Sequence, residues 1–232
     1  MSTIRNHATD CMHIVFIRSI LISWRVVNTQ THLLLATAVL LPIAPALGRQ
    51  TDLSTAPATL KNVHVTLAAL IGAMLPDASL FLMFFIAKAQ GVPEAVIFNE
   101  WYFSERWQRL GAISNSLPIY AGVAILAYGL RARLITTGAL AAFLHCLTDL
   151  PLHHDDGHPH FWPFSQWIYS SPISYWDPKH YGNQWGLFEL GLAAVMIVWL
   201  WRRSVNKISR ALLVLAALSY GAVAYFWFTA FG

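Results

Sequence analysis

The chain has 232 residues, 56% of them hydrophobic and only 11% charged, with a formal net charge of +4 and a mean hydropathy of +0.51. Ordinary soluble domains carry roughly a quarter charged residues, so a soluble globule is excluded, and charge this sparse also excludes a disordered chain or a nucleic-acid-binding stripe. Two cysteines, Cys11 and Cys146, cannot build a disulfide framework, which leaves ten histidines, six of them between His145 and His180, as the one polar excess.

In chain order, residues 1–28 come first. The stretch 14–27 is apolar but carries Arg18 and Arg25. Their seven-residue spacing puts both on one helical face, the pattern of an amphipathic helix lying in the interface. No small-residue cleavage site follows, which argues against a signal peptide, and the working protein is expected to start near Val27. Residues 29–232 are expected to form a single transmembrane domain. About twenty apolar residues span a bilayer core, and less pure runs do so when buried in a bundle. Six segments qualify on that basis: 31–48, 61–89, 108–130, 134–152, 185–201 and 211–231. The fold class is therefore all-α, a polytopic helical membrane bundle of about six transmembrane helices. Two outer loops, 90–107 and 153–184, interrupt it. Five prolines in or beside the second loop (Pro151, Pro159, Pro163, Pro172 and Pro178) predict short helices and turns packed on the headgroup region.

Lys and Arg placement sets orientation. Alternate connections hold Arg49, Lys61, Arg131, Arg133, Arg202, Arg203, Lys207 and Arg210, against Lys88, Arg106, Arg109 and Lys179 in or beside the other two. That asymmetry predicts an inner-membrane protein whose long, His-rich loop faces the periplasm.

Under this topology His32, Asp77, Asn115, His145, Asp149 and Glu189 all fall in the outer half of the bilayer. An ionisable group in hydrocarbon costs a few kcal/mol and faces a partner, a cavity or an ion. Asp77 follows Pro76, which removes a backbone hydrogen bond and opens the helix. His145 and Asp149 are four residues apart and share one helical face, which His153 extends by a turn. Imidazole with carboxylate suits Zn²⁺ first, with Mn²⁺ or Fe²⁺ as alternatives. The candidate metal ligands are His32, Asp77, His145, Asp149, His153 and His154. Asp155 and Glu189 are the candidate acid/base residues, and Glu100 on the first outer loop a candidate substrate contact. Asp156, His158 and His160 read instead as a solvated loop, and His64 and His180 carry no assigned role.

Several of these residues lie in motifs that resemble a known family. Asn28-Thr-Gln-Thr-His32-Leu-Leu-Leu, Leu75-Pro-Asp77, Asn115-Ser-Leu-Pro, His145-x₃-Asp149 and Phe161-Trp-Pro-Phe164-Ser occur in the order seen in the membrane-bound metal-dependent hydrolases of bacterial inner membranes. The similarity runs over about residues 28–201. Leu152–Ser165 with Ser171-Pro-Ile-Ser-Tyr-Trp-Asp-Pro178 is similar to a proteobacterial branch sometimes labelled cobalamin-biosynthesis proteins, although no corrin- or nucleotide-binding signature is present. The resemblance implies a metal held by His32, Asp77, His145 and Asp149. The chain departs from it twice. Pro76-Asp77-Ala-Ser79 stands where the family tends to have Pro-Asp-x-Asp, and Ser114-Asn115-Ser116 stands where it tends to have Thr-His-Ser. One carboxylate and one imidazole are thereby lost, with His153, His154 and Asp155 as candidates to replace them.

The expected function is a metal-dependent membrane hydrolase acting on a lipid or phosphoester delivered by the bilayer. The alternative is a non-catalytic accessory or assembly subunit that docks partner subunits of a membrane complex through its aromatic outer loops. A transporter ranks below both, because no inverted repeat is present.

Overall fold

The structure is a computed structural model, and it describes residues 27–47, 58–175, 177–204 and 207–231. The expected interfacial helix before Val27 and the connection holding Arg49 lie outside the described residues. Eight helices of ten residues or more and no strand occur among those residues: α1 (Val27–Ile43), α2 (Ala58–Met74), α3 (Ala78–Ala89), α4 (Glu105–Ser114), α5 (Leu117–Gly129), α6 (Arg133–Asp149), α7 (Gly182–Arg203) and α8 (Lys207–Phe231). The all-helical expectation is met.

The expected count of six spans is not. Among the described residues three helices are long and apolar enough to cross a bilayer: the run Glu105–Gly129, Arg133–Leu152, and Gly182–Arg203. A fourth counts if α2 and α3, bent by 66° at their junction, are one broken span. The reasons are local. Proline lacks the N–H that would continue the ladder, so the helix stops before Pro76 and restarts at Ala78. In α1 the helix with described side chains, Thr29–Ile43, is short of the length a bilayer needs. The second outer loop does contain the expected turns. It opens on a 3₁₀ turn (Leu150–Leu152) and closes on another (Pro178–His180).

Helix α6 is the hub, packed against α1, α2 and α5. Its contact with α2 is unusually close. A Cβ on Gly72 would sit 2.0 Å from the Gly138 carbonyl oxygen, so these backbones touch without intervening side chains. Alanines extend the seam, with Ala69, Ala73, Ala141 and Ala36 fully or almost fully buried beside Leu40. On the far side of α1, a second core of Leu34, Ala193, Met196, Leu200, Leu213 and Tyr220 joins α7 and α8. Helix α5 starts where Ser116 accepts a hydrogen bond from the Ile119 N–H (3.2 Å), with a proline in the first turn. The close α2–α6 seam and the break after α2 bring the polar residues of α1, α2 and α6 to one level.

Candidate metal centre

His145 lies on the last turns of α6, buried against the end of α2. A helix leaves its last carbonyls without intrahelical partners. One of these, on Ala73, accepts from His145 Nδ1 at 2.7 Å. A carbonyl only accepts, so Nδ1 carries a proton and Nε2 is the atom left to face the cavity. His32 is held the same way from α1. Thr148 donates its hydroxyl proton to the Leu144 carbonyl (2.9 Å), so its oxygen accepts from His32 Nδ1 (3.0 Å). The two imidazoles stack with centroids 3.8 Å apart at 22°.

Both Nε2 atoms face carboxylates. His32 Nε2 is 3.4 Å from Asp149 Oδ1, and His145 Nε2 is 3.7 Å from Asp77 Oδ1. His32 Nε2 is also buried without a hydrogen-bond partner among the described residues. One ligand atom each from His32, His145 and Asp149 lies within 4.8 Å of the others. An Nε2 this close to a carboxylate is stabilised by a proton of its own or by a cation shared with the carboxylate. Two neutral imidazoles and a carboxylate are a donor set that divalent zinc accepts, and the Ala73 carbonyl and Thr148 hydroxyl are the kind of outer-shell partners that orient such ligands. Asp77, at the α2–α3 break, accepts the Thr29 hydroxyl through its other oxygen and edges the same space.

The second outer loop folds down onto this group. His153 bridges two carboxylates, with Nε2 3.0 Å from Asp149 Oδ2 and Nδ1 2.8 Å from Asp156 Oδ1. Burial opposes its charge, but Asp149 and Asp156 on either side outweigh that and hold its pKa well above the ordinary histidine value. His153 is therefore an imidazolium that clamps Asp149, with both ring nitrogens engaged. His158 behaves oppositely: burial, then the neighbouring His153 and His160, push its pKa down to about 4. Its Nδ1 is buried and unpartnered among the described residues. His160 is also lowered by burial, and its Nδ1 meets the Asn115 backbone carbonyl at 2.9 Å. That contact and the bond from the Tyr102 hydroxyl to the Asp156 carbonyl (2.7 Å) pin the loop in place.

A cavity of about 50 Å³ opens beside these groups. Its polar wall includes His32, Asp77, His145, Asp149, His153 and His158; its apolar wall includes Leu80, Met83, Phe98 and Trp107.

Of the six residues expected to bind metal, the structure brings His32, Asp77, His145, Asp149 and His153 to the cavity. His154 points elsewhere and stacks on His180. Neither acid/base candidate lines the cavity. Asp155 is exposed on the loop, and Glu189, buried on α7, accepts the hydroxyl of Thr31, which also meets Tyr220. Glu100 is exposed away from it. The Asn115 side chain donates to the Gly111 carbonyl (3.0 Å) and the Pro76 carbonyl (3.3 Å), tying α4 to the α2–α3 break. Asp156, His158 and His160, read from sequence as solvated loop, are instead drawn inward: Asp156 and His158 line the cavity, and His160 packs against Asn115.

An all-helical protein, with membrane-length apolar helices and a buried His/Asp cluster beside a broken helix, is the class that fold and site define. Within that class the chain belongs to the YdjM inner membrane protein family, whose pattern it matches over residues 27–230. The family and the apolar helices together place it in the inner membrane. No curated protein and no solved structure matches the chain.

Proposed function

We propose that this protein is a metal-dependent hydrolase of the inner membrane whose substrate is a lipid or phosphoester presented by the bilayer, with the cavity facing the periplasmic side. The observation that carries the reading is the pair of stacked imidazoles whose Nε2 atoms face Asp149 and Asp77 at 3.4 and 3.7 Å inside a buried pocket. His32, His145 and Asp149 hold the ion, and Asp77 completes or orients the set. Zn²⁺ is the first candidate, and a divalent ion of this kind supplies Lewis acidity and acidifies water it binds.

The chain's own residues do the rest. His153, charged and hydrogen-bonded on both sides, fixes Asp149 and stores a proton beside the cavity. His158, neutral at physiological pH, is the group able to accept one there. Leu80, Met83, Phe98 and Trp107 offer an apolar flank for an acyl or prenyl chain, while the opposite wall is polar. The unequal distribution of Lys and Arg supports the periplasmic orientation.

The test is metal content. Purified protein is expected to carry about one divalent ion by inductively coupled plasma mass spectrometry, and His145→Ala and Asp149→Ala to lose most of it. A metal-free wild type that co-purifies with a stoichiometric partner subunit would overturn the reading in favour of an accessory subunit.

A further inference from the structure

The second outer loop is tied to the middle of a helical run rather than to its end. The Leu117 N–H donates to the His160 carbonyl (2.9 Å), His160 Nδ1 to the Asn115 carbonyl (2.9 Å), and the Ser116 hydroxyl to the Trp162 carbonyl. These partners sit where α4 meets α5, halfway along Glu105–Gly129, a run long and apolar enough to cross a bilayer. Asn115, Ser116 and Leu117 come six to eight residues after Arg109, the last charge before Arg131. At a rise of about 1.5 Å per residue they lie roughly 9–12 Å below that charge. Helix α6 agrees: Leu117 packs in one buried core with Ala142 and Cys146, inside the span that ends at Leu152.

The loop reaches that level and comes back. It leaves α6 at His153, turns over residues 161–164, and returns to the end of α6. There Ser171 N–H donates to the His153 carbonyl (2.9 Å), Ser170 Oγ to the His154 carbonyl (2.6 Å), and Tyr175 N–H to the Leu152 carbonyl (3.0 Å). The turn closes its own backbone. Trp162 N–H donates to the Pro159 carbonyl (2.9 Å), and the Phe164 and Ser165 N–H groups donate to the Phe161 carbonyl (3.0 and 3.1 Å); Pro163 has no N–H to satisfy. Irregular backbone at membrane depth needs such internal pairing, because no water is there to replace it. Residues 157–176 contain no Asp, Glu, Lys or Arg. The outward side chains are apolar: Phe164 is 85% exposed, and Phe161, Trp167 and Ile168 are exposed too. The Trp167 ring lies 6.0 Å from that of Phe161 and 5.7 Å from that of Tyr169, so the aromatic residues form one patch.

We propose that residues 157–176 form a re-entrant loop whose turn, 161–164, lies among the acyl chains of the adjoining leaflet, with Phe161, Phe164 and Trp167 in contact with lipid. Both ends of the loop lead into membrane-length helices, Arg133–Leu152 and Gly182–Arg203. The patch is therefore continuous with surfaces that lipid already covers, and lipid, not a partner protein, is its occupant. The prolines alone predict a loop resting on the headgroups, and aromatic residues fit that level as well. The hydrogen bonds to residues 115–117 set the turn deeper. This inference does not rest on the hydrolase reading.

The experiment is nitroxide labelling of full-length protein in phospholipid nanodiscs, read by electron paramagnetic resonance. Phe164→Cys carries the label, and Phe161→Cys serves where Phe164→Cys does not fold. Cys11→Ser removes one native thiol; Cys146 is buried, and the Cys11→Ser parent treated with label is the blank. Asp155→Cys, exposed where the loop leaves α6, is the water reference. Collisions are measured with oxygen, which concentrates among acyl chains, and with a nickel chelate, which stays in water. The label at position 164 is expected to meet oxygen several-fold more often than the chelate, and the label at position 155 the reverse. A label at position 164 as open to the chelate as the one at position 155 would overturn the proposal. So would a label shielded from both reagents, the mark of a second copy or another protein covering the patch. Neither reading depends on bound metal.

Discussion

The two histidine pairs, His32 with His145 and His154 with His180, differ less in how their rings are arranged than in what surrounds them. Both stack at under 4 Å with Nδ1 tied down. The inner pair is drawn from α1 and α6, buried, and faced by Asp149 and Asp77. The outer pair sits within one loop, half-buried, with its only carboxylate behind His180 rather than in front of it. Imidazole pairing is thus cheap to build locally, while a third ligand requires helices from distant parts of the chain to meet. The inner pair depends on helix packing and the outer on turn geometry, and each can be broken separately.

The largest effect is expected at the helix seam. Gly72→Ala places a methyl 2.0 Å from the Gly138 carbonyl oxygen, a backbone atom that cannot rotate away. The α2–α6 contact must open, at a cost of roughly 3 kcal/mol or more, and the Ala73 carbonyl then leaves His145. We expect a large drop in detergent melting temperature and loss of inner-site metal. Unchanged melting and metal content would show that the seam does not position the inner pair.

Next is acid sensitivity. His158 has a folded pKa of about 4 against an ordinary 6.5. The unfolded chain therefore takes up a proton first as pH falls, and stability drops between pH 6.5 and 4. The loss reaches at most about 3 kcal/mol from this group. His158→Gln removes it, so the variant should melt with a flatter pH profile below 6.5 and match the wild-type profile above it. Parallel profiles down to pH 4 would mean that His158 is not held neutral.

The smallest effect is expected at the outer turn. Tyr181 occupies the left-handed region (φ 65°), and a Cβ at Gly182 would meet Asp177 backbone atoms at 2.8 Å. Gly182→Ala shifts this turn, at about 1 kcal/mol. It should lower the detergent melting temperature slightly and leave the inner site's metal content unchanged. Loss of inner metal in this variant would mean that the two pairs are not independent.

Much of the inner site was legible along α6 alone. His145 and Asp149 one helical turn apart mark a shared face, and Pro76 before Asp77 marks a break. His32 was suggested by its depth in an apolar stretch rather than by any link to α6. The loop residues were misjudged because polarity along a chain does not report burial. Asp156, His158 and His160 look solvated until Tyr102 and Asn115 draw the loop inward. The error at Glu189 is the converse: its depth fits the site, but its face of α7 looks toward Thr31 and Tyr220. Depth is a one-dimensional quantity, and a site also needs the angle around each helix axis.

Composition by itself determined the helical membrane class. With so few charges and runs of apolar residues, backbone hydrogen bonds must close within each segment, and the helix is the form that does this. The spacing of His145 and Asp149 by itself put two candidate ligands on one face. Tertiary structure decided which histidines meet, which carboxylate faces which lone pair, and where the helices are too short or too bent to count as spans. Ligand atoms must converge to within a few ångströms, and that depends on how closely α2 and α6 approach at Gly72 and Gly138 and on where the loop after α6 folds. Those contacts join residues far apart in the chain, so local periodicity carries no record of them.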